Sequence, residues 1–409
     1  MNKLYCGDNL EILQKDIEKE SVDLIYIDPP FFTNRHYEVI WGDEAETRSF
    51  KDRWEGGIEN YISWMKPRID AMYDVLKPTG SFYLHCDWHA NAHLRILCDK
   101  KFGEKNFKNE IIWSYKRYTA TSNHFQRLHD VILFYTKSKD FVFNSPREEY
   151  GTKSGKADSH YKQEKDGRWF RWQKLKGKEP YKIYLSAGRR VGDVWDIPII
   201  NASSHERLGY PTQKPRDLLK KIIEASSHKG DLVLDAFCGC GTTVIEAQKL
   251  GRNWIGIDIS PTAIKVIKRD GLRPIGAIEN EHYESIGMPT TISALKKLAP
   301  FEFQNWVINE LGAKQSRKKT GDMGLDGYIL EDLLNKGLGI QVKQSESIGR
   351  NVVDNFKSAL DREKYKKGVI VAFSFGKGAC EEVARLKNTG DVEITLLTVE
   401  ELLNKRKKG

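Results

Sequence analysis

The chain has 409 residues, 39% of them hydrophobic and 30% charged, with 66 Lys and Arg against 57 Asp and Glu for a formal charge of +9. That length exceeds one ordinary core and predicts two domains, and the composition excludes a disordered or fibrous chain. The net positive charge favours a polyanionic partner, since each neutralised phosphate releases a counterion. No apolar run of about 18 residues marks a membrane span. The start, Met1 to Cys6, lacks a signal-peptide stretch, so a cytoplasmic location is expected. The six cysteines form no Cys-x-x-Cys pair and read as reduced thiols.

In chain order, short apolar strands alternate with helical stretches, the pattern of a parallel α/β sheet. Strands are predicted at Lys3–Cys6, Asp23–Ile27, Ser81–His85, Glu110–Tyr115 and Val131–Thr136. From about 114 to 210 the pattern turns irregular and rich in Lys, Arg, Trp and Tyr, as in Arg168 to Lys174. Regular structure resumes with a helix over Arg216–Ala225 and strands at Leu232–Leu234 and Trp254–Ile257. Residues 276–292, holding Gly276, Gly287 and Pro289, read as a linker between a domain at 1–275 and a second α/β unit at 293–409.

Asp28-Pro29-Pro30-Phe31 follows the second strand. Two prolines remove two N–H donors and fix the chain there, leaving carbonyls beside the Asp28 carboxylate and an aromatic ring next door. Such acceptors suit the amino group of a flipped base. An exocyclic amine is a poor nucleophile because its lone pair is delocalised into the ring. If Asp28 and the Pro29 carbonyl hold its two hydrogens, the nitrogen becomes tetrahedral and its lone pair is freed, with Phe31 stacked on the base. No Pro-Cys dipeptide, the mark of ring-carbon cytosine methylation, occurs anywhere.

Asp235-Ala-Phe237-Cys-Gly239-Cys-Gly241-Thr242 reads as a strand, a glycine turn and a helix start, with Asp258 about 20 residues on, where an acid binds ribose hydroxyls. Val244 stands where a dinucleotide site wants a third glycine. That glycine serves a pyrophosphate, so its absence favours S-adenosylmethionine over NAD.

These blocks resemble the amino-group DNA methyltransferases of permuted motif order, in which the catalytic tetrapeptide precedes the cofactor loop (the β arrangement). Residues 1 to about 271 fit. The resemblance implies a Rossmann-like S-adenosylmethionine-dependent sheet acting on double-stranded DNA, with residues 114–210 as target-recognition region. Asp8, after Gly7, looks like the acid that contacts the cofactor adenine. Pro211-Thr-Gln-Lys214-Pro215 looks like the segment closing over its methionine end, which makes Lys214 a cofactor residue. Gly80 to Trp88 and Phe107 to Trp113 match further blocks. Within that family an Asp-first tetrapeptide leans toward adenine N6 rather than cytosine N4. A second copy of the chain is allowed for as partner.

His85, His89 and His93 are spaced by four, but His85 ends a strand, so a metal-binding stripe is not expected. In the second unit, Gly321-Asp322-Met-Gly324-Leu-Asp326 and Gln341-Val-Lys343 resemble restriction-endonuclease-like nucleases of the Mrr type, in which an acid and a second acceptor bind a divalent ion. Gln341 replaces the usual second acid, and Gln304 leaves Glu310 as the substitute helix acid. A neutral Gln weakens metal affinity, so the reading favours DNA binding or assembly over cleavage, and Mg2+ is expected only if this domain cuts.

Overall fold

The structure, a computed structural model, describes residues 1–32, 57–117, 123–148, 161–184, 188–201, 204–208, 212–298, 300–315, 325–329, 337–390 and 392–406. Pro211, Gly321, Asp322, Gly324 and parts of the 114–210 stretch lie outside these residues.

The amino-terminal part supplies β1 (Asn2–Cys6), β2 (Val22–Ile27), β3 (Leu76–Cys86), β4 (Phe107–Ser114) and β5 (His129–Thr136). Short strands β6 (Arg147–Glu148), β7 (Lys162–Gln163), β8 (Trp169–Gln173), β9 (Tyr181–Tyr184) and β10 (Arg189–Arg190) form two small antiparallel sheets. Then come β11 (Val194–Asp196), β12 (Leu232–Asp235), β13 (Asn253–Asp258) and β14 (Tyr283–Ile286). Nine of these strands make one sheet in the order β11-β4-β5-β3-β2-β12-β13-β1-β14, parallel except for β5.

Strand alternation explains why the central strands are apolar throughout. Leu24 and Tyr26 of β2 pack in one core with Leu4, Tyr83 and Val233, while Ile25 and Ile27 pack in the opposite core with Phe82, Leu84 and Leu234. Strands buried on both faces read as continuous apolar runs, and each fully buried Leu or Ile contributes roughly 1.5–3 kcal/mol. Helices cover both faces: α1 (Asn9–Lys15), α2 (Ile58–Val75), α3 (Asn91–Phe102), α4 (Arg216–Ser226), α5 (Thr242–Lys249) and α6 (Pro261–Val266).

The structure differs from the sequence reading at two edges. Strand β3 reaches back through Pro78 and Gly80, because its pairing with β2 shifts register between Val22 and Leu24; a bulge tolerates residues that break a regular ladder. The stretch 276–292, expected as linker, instead contributes β14, which pairs in parallel with β1. Gly287 ends that strand at φ +83, and a Cβ there would lie 2.3 Å from the Cys6 carbonyl oxygen, so the Gly that suggested a linker is a close-approach residue.

The carboxyl-terminal part holds α7 (Ile292–Lys296), α8 (Pro300–Glu310), β15 (Lys314–Gln315), β16 (Gly327–Ile329), β17 (Leu338–Lys343), α9 (Arg350–Glu363), β18 (Lys367–Ala372), α10 (Lys377–Thr389), β19 (Glu393–Thr398) and α11 (Val399–Arg406). Its five strands form a second sheet in chain order, with β17, β18 and β19 parallel. Ile340, Val342 and Val371 pack on one face and Ile370 and Ile394 on the other. The molecule is therefore a Rossmann-like α/β sheet followed by a smaller α/β domain. Among the described residues no helix is long and apolar enough to cross a membrane.

Candidate active site at the carboxyl edge of the large sheet

Parallel strands deliver their carboxyl ends to one edge, where crevices for ligands form. Register sets the neighbours there. Ile27 of β2 pairs with Leu84 of β3, so Asp28 leaves the sheet level with His85. Strand β5 runs antiparallel and starts at the same edge, which puts Asp130 beside both.

His85 has no exposed surface. Its Nδ1 lies 3.6 Å from Asp28 Oδ1 and its Nε2 lies 3.4 Å from Asp130 Oδ2. The Tyr26 hydroxyl is 2.9 Å from Nδ1. Lys214 donates to Asp28 Oδ2, with its ammonium 5.3 Å from the centre of the Phe31 ring. Phe31 and Trp113 flank the imidazole at centroid distances of 5.6 and 5.5 Å. Burial alone would raise the Asp130 carboxyl, but the contacts with His85 and Tyr115 and the charge of Lys214 hold it below its usual value. Burial, with Asp28 next in effect, pushes the Tyr26 hydroxyl well up, so it stays a neutral phenol.

The glycine turn adjoins this group. Asp235 ends β12 buried, its Oδ1 accepting from Phe237 N–H at 3.0 Å and its Oδ2 from the Thr243 hydroxyl at 2.5 Å. Burial raises its carboxyl to about 7 despite those two bonds. Gly239 and Gly241 stand at φ +50 and +81, the left-handed region that glycine enters without penalty. Asp258 ends β13 and clamps the turn, accepting from Gly239 N–H and Ser260 N–H at 2.8 Å each. Thr242 opens α5, buried at its amino end.

Asp8 caps α1, accepting from Leu10 N–H at 2.8 Å, and pairs with Arg68 at 2.7 Å. Arg68 is buried, donates also to Asn9 Oδ1 at 2.8 Å, and lies 4.0 Å over the Trp64 ring. Asn9 in turn donates to the Ala236 carbonyl at 2.7 Å, and Trp64 sits 5.8 Å from Phe237. Helix α2 thus walls the glycine turn.

The structure brings Asp28, Phe31 and Lys214 together at one point and Asp8, Asp235, Phe237, Gly239, Gly241, Thr242 and Asp258 around the adjoining turn. Pro29 and Pro30 follow Asp28 on the loop leaving β2, with Pro29 buried. Lys214, expected on the cofactor, is held by Asp28. Sequence reasoning missed Asp130, Tyr26, Trp113, Arg68 and Trp64. His85 figures there as a rejected metal ligand and within the Gly80 to Trp88 block, with no role at Asp28, although an uncharged apolar strand ending in His beside an acid-tipped strand was a visible signal.

In the second domain, Asp326 precedes β16 and its carboxylate accepts from Val342 N–H at 2.6 Å. Burial raises this carboxyl, opposed by that bond and the charge of Lys343. Gln341 is buried and its Oε1 has no hydrogen-bond partner among the described residues. Gln341 and Lys343, two apart on β17, share one face. Glu310 instead turns to α6, pairing with Lys265 at 2.5 Å.

Comparison with known proteins agrees with this layout. Residues 22–269 match the family model described as DNA methylase, and residues 295–405 match one described as restriction endonuclease, of the Mrr catalytic type. The Escherichia coli K12 protein named DNA adenine methyltransferase YhdJ is 32% identical over 283 residues, covering 68% of this chain and 83% of its own. Type II methyltransferase M.EcaI of Enterobacter cloacae is 27% identical over 380 residues, covering 78% of this chain and 81% of its own. The solved PvuII DNA methyltransferase, titled cytosine-N4-specific, aligns at 17% identity with a TM-score of 0.45, covering 69% of this chain and 88% of that one. The chain belongs to the DNA methylase family, the site-specific amino-group methyltransferases that use S-adenosylmethionine, with a carboxyl-terminal part that matches the Mrr-type restriction-endonuclease model.

Proposed function

We propose that the chain methylates the exocyclic N6 of adenine in double-stranded DNA, with Asp28, Pro29, Pro30 and Phe31 as the catalytic segment. The observation that carries the reading is the Asp28 carboxylate itself. It stands at the sheet edge beside an aromatic ring, its Oδ1 buried and without a hydrogen-bond partner among the described residues. Buried acceptors are normally satisfied, and an amino hydrogen would satisfy this one. The Asp-first tetrapeptide and the adenine named for the Escherichia coli relative support adenine over cytosine.

When bound, S-adenosylmethionine supplies a methyl group on a positively charged sulfur. The residues around the glycine turn suit it. Asp258 holds two backbone N–H groups, and a carboxylate has about four acceptor positions, which suits ribose hydroxyls. Phe237 and Trp64 give the adenine an aromatic wall, with Asp8 at its edge. Gly239 and Gly241 supply the positive φ values that bend the turn, Thr242 opens α5 behind it, and Asp235 braces it through Phe237 N–H and the Thr243 hydroxyl. Lys214 holds Asp28 Oδ2 and leaves Oδ1 for the substrate amine. The β7–β9 sheet, with Trp172 54% exposed and Arg168 and Lys182 on its surface, offers stacking and phosphate contacts within the target-recognition region.

Incubating the protein with unmethylated DNA and S-adenosylmethionine, then separating the nucleosides by mass spectrometry, tests the reading. N6-methyladenine is expected, and N4-methylcytosine in its place would overturn the choice of base.

A second reading, cleavage by the carboxyl-terminal domain, is favoured by the unpartnered Gln341 Oε1 on the strand whose next residue, Val342, donates its N–H to the Asp326 carboxylate. These are hard oxygen donors of the kind Mg2+ takes, with Lys343 placed to orient water, although a single carboxylate makes the set poor in charge. Unmethylated plasmid that stays intact with excess protein and magnesium would reject it.

A further inference from the structure

We propose that His85 and Asp130 form a proton relay that acts through Asp28; the inference rests on the methyl-transfer reading of that carboxylate. The imidazole bridges two acids, with Nδ1 3.6 Å from Asp28 Oδ1 and Nε2 3.4 Å from Asp130 Oδ2. Both Asp28 Oδ1 and His85 Nε2 are buried and lack a hydrogen-bond partner among the described residues. A fully buried imidazole with an unsatisfied nitrogen of its own on one side and an unsatisfied carboxylate oxygen on the other is an arrangement that packing alone does not select.

Every element around the ring contributes. Strand β2 gives the Tyr26 hydroxyl, 2.9 Å from Nδ1, and past its end Asp28 and Phe31. Strand β4 gives Trp113, edge-on to the imidazole, and β5 gives Asp130, steadied by the Tyr115 hydroxyl at 3.2 Å. The remaining charge is Lys214, on Asp28 Oδ2. Tyr26, kept a phenol by burial, can donate to Nδ1 or accept from it, so it follows the ring through a change of protonation.

The chemistry needs such a path. The target nitrogen forms its bond to the methyl carbon as the carbon–sulfur bond breaks, and sulfur keeps that electron pair as a neutral thioether. The nitrogen then carries one hydrogen too many for a neutral amine. That proton passes to Asp28, and transfer from the Asp28 carboxyl to His85 Nδ1 restores the carboxylate. The imidazolium formed lies between Asp28 and Asp130, whose negative charges stabilise it, and it discharges to water when the product leaves. His85 and Asp130 contact neither the base nor the methyl donor and act through Asp28, so they are positioning residues.

The test is single-turnover methyl transfer by the full chain across pH 5 to 9, for Asp130→Asn and His85→Gln. Asp130→Asn is expected to lower the plateau rate about tenfold and change the shape of the pH profile, because the amide carries no charge to balance a proton arriving on the ring. His85→Gln is expected to lower the rate at least as much. The dissociation constant for S-adenosylmethionine and the unfolding temperature, measured alongside, are expected to stay near wild type, and Asp130→Glu to regain part of the rate. A variant that loses its fold is replaced by the solvent deuterium isotope effect of the wild-type chain, where an effect of about twofold supports proton movement and its absence overturns it. Wild-type rates and profiles in both variants, with Asp28→Ala inactive, would overturn the relay alone. An active Asp28→Ala would overturn the methyl-transfer reading and the relay with it.

Discussion

Lys214 is hydrogen-bonded to Asp28 across 186 residues of sequence. The pair joins the segment ahead of α4 and β12 to the Asp28–Phe31 tetrapeptide, and both side chains are largely buried, at 12% and 17% exposure. A cation on one carboxylate oxygen leaves the other for the incoming amine and fixes the plane of the carboxylate between them.

Replacing that cation should therefore cost rate. Lys214→Met is expected to lower kcat/KM on the order of 100-fold, the scale for removing one partner of a desolvated charge pair. Steady-state methylation of a DNA duplex, with S-adenosylmethionine affinity measured by calorimetry, checks this. An unchanged rate would remove Lys214 from the catalytic group.

The turn makes a sharper demand at Gly241. Its φ of +81 is unfavourable for a residue with Cβ, and a Cβ built there meets Ile267 at 2.6 Å. Gly241→Ala should cost about 1–3 kcal/mol by chemical denaturation and weaken donor binding in step. Measured against Ile267→Ala alone, which carries its own cavity cost, adding Gly241→Ala should cost less than it does in the wild-type chain but still show the backbone penalty, so recovery is expected to be partial. Complete recovery would show the φ value to be unimportant.

Asp235 predicts a pH dependence of opposite sign to that of most carboxylates. Burial raises it from 3.8 to about 7 in the folded chain. Between those values the native state binds a proton that the unfolded state does not, so stability falls as pH rises through the window, by up to about 1.4 kcal/mol per unit. Asp235→Asn should abolish that contribution: the gap in unfolding temperature between variant and wild type should widen from pH 4.5 to 7.5. A constant gap would place the titration elsewhere.

Much of the site was legible because acids at strand ends carry their own signal. Asp28, Asp235 and Asp258 each follow an apolar run, and the glycine turn follows one of them. The neighbours that shape these acids carry no local signal. Arg68 and Trp64 lie in α2, whose sequence reads as an ordinary amphipathic helix, and they meet Asp8 only through packing. Asp130 opens a strand that reads the same whether it runs parallel or antiparallel, yet only the antiparallel course brings it to His85. Strand β14 was hidden because Gly287, which follows it, serves close approach to Cys6 rather than flexibility.

Arg68 tests that wall. It is buried and makes hydrogen bonds to Asp8, Asn9 and the Trp64 carbonyl at 2.7, 2.8 and 3.0 Å. Arg68→Met keeps the stem over Trp64 but leaves Asp8 without its cation. A loss of about 2 kcal/mol in urea unfolding is expected, below the usual cost of breaking a buried pair because Asp8 is one-third exposed. The double variant Arg68→Met with Asp8→Asn should recover part of it, since it removes the stranded charge as well. A double variant no more stable than the single would assign the loss to packing.

The second domain permits a gain-of-function experiment. Its candidate metal donors are one carboxylate, Asp326, and one neutral amide, Gln341, whose oxygen is buried without a partner among the described residues. Hard divalent cations bind more tightly as ligand charge rises, so Gln341→Glu, nearly isosteric, should increase magnesium-dependent plasmid nicking above the wild-type level. The same change buries a second acid near the first, and without metal the two repel. The variant should therefore be less stable than wild type in a chelator and should recover that difference as magnesium is added, a thermal shift that reports the ion even if no strand is cut. Equal unfolding temperatures with and without magnesium would mean that Asp326 and position 341 do not share an ion, and the domain would then serve the methylase by binding DNA rather than by cutting it.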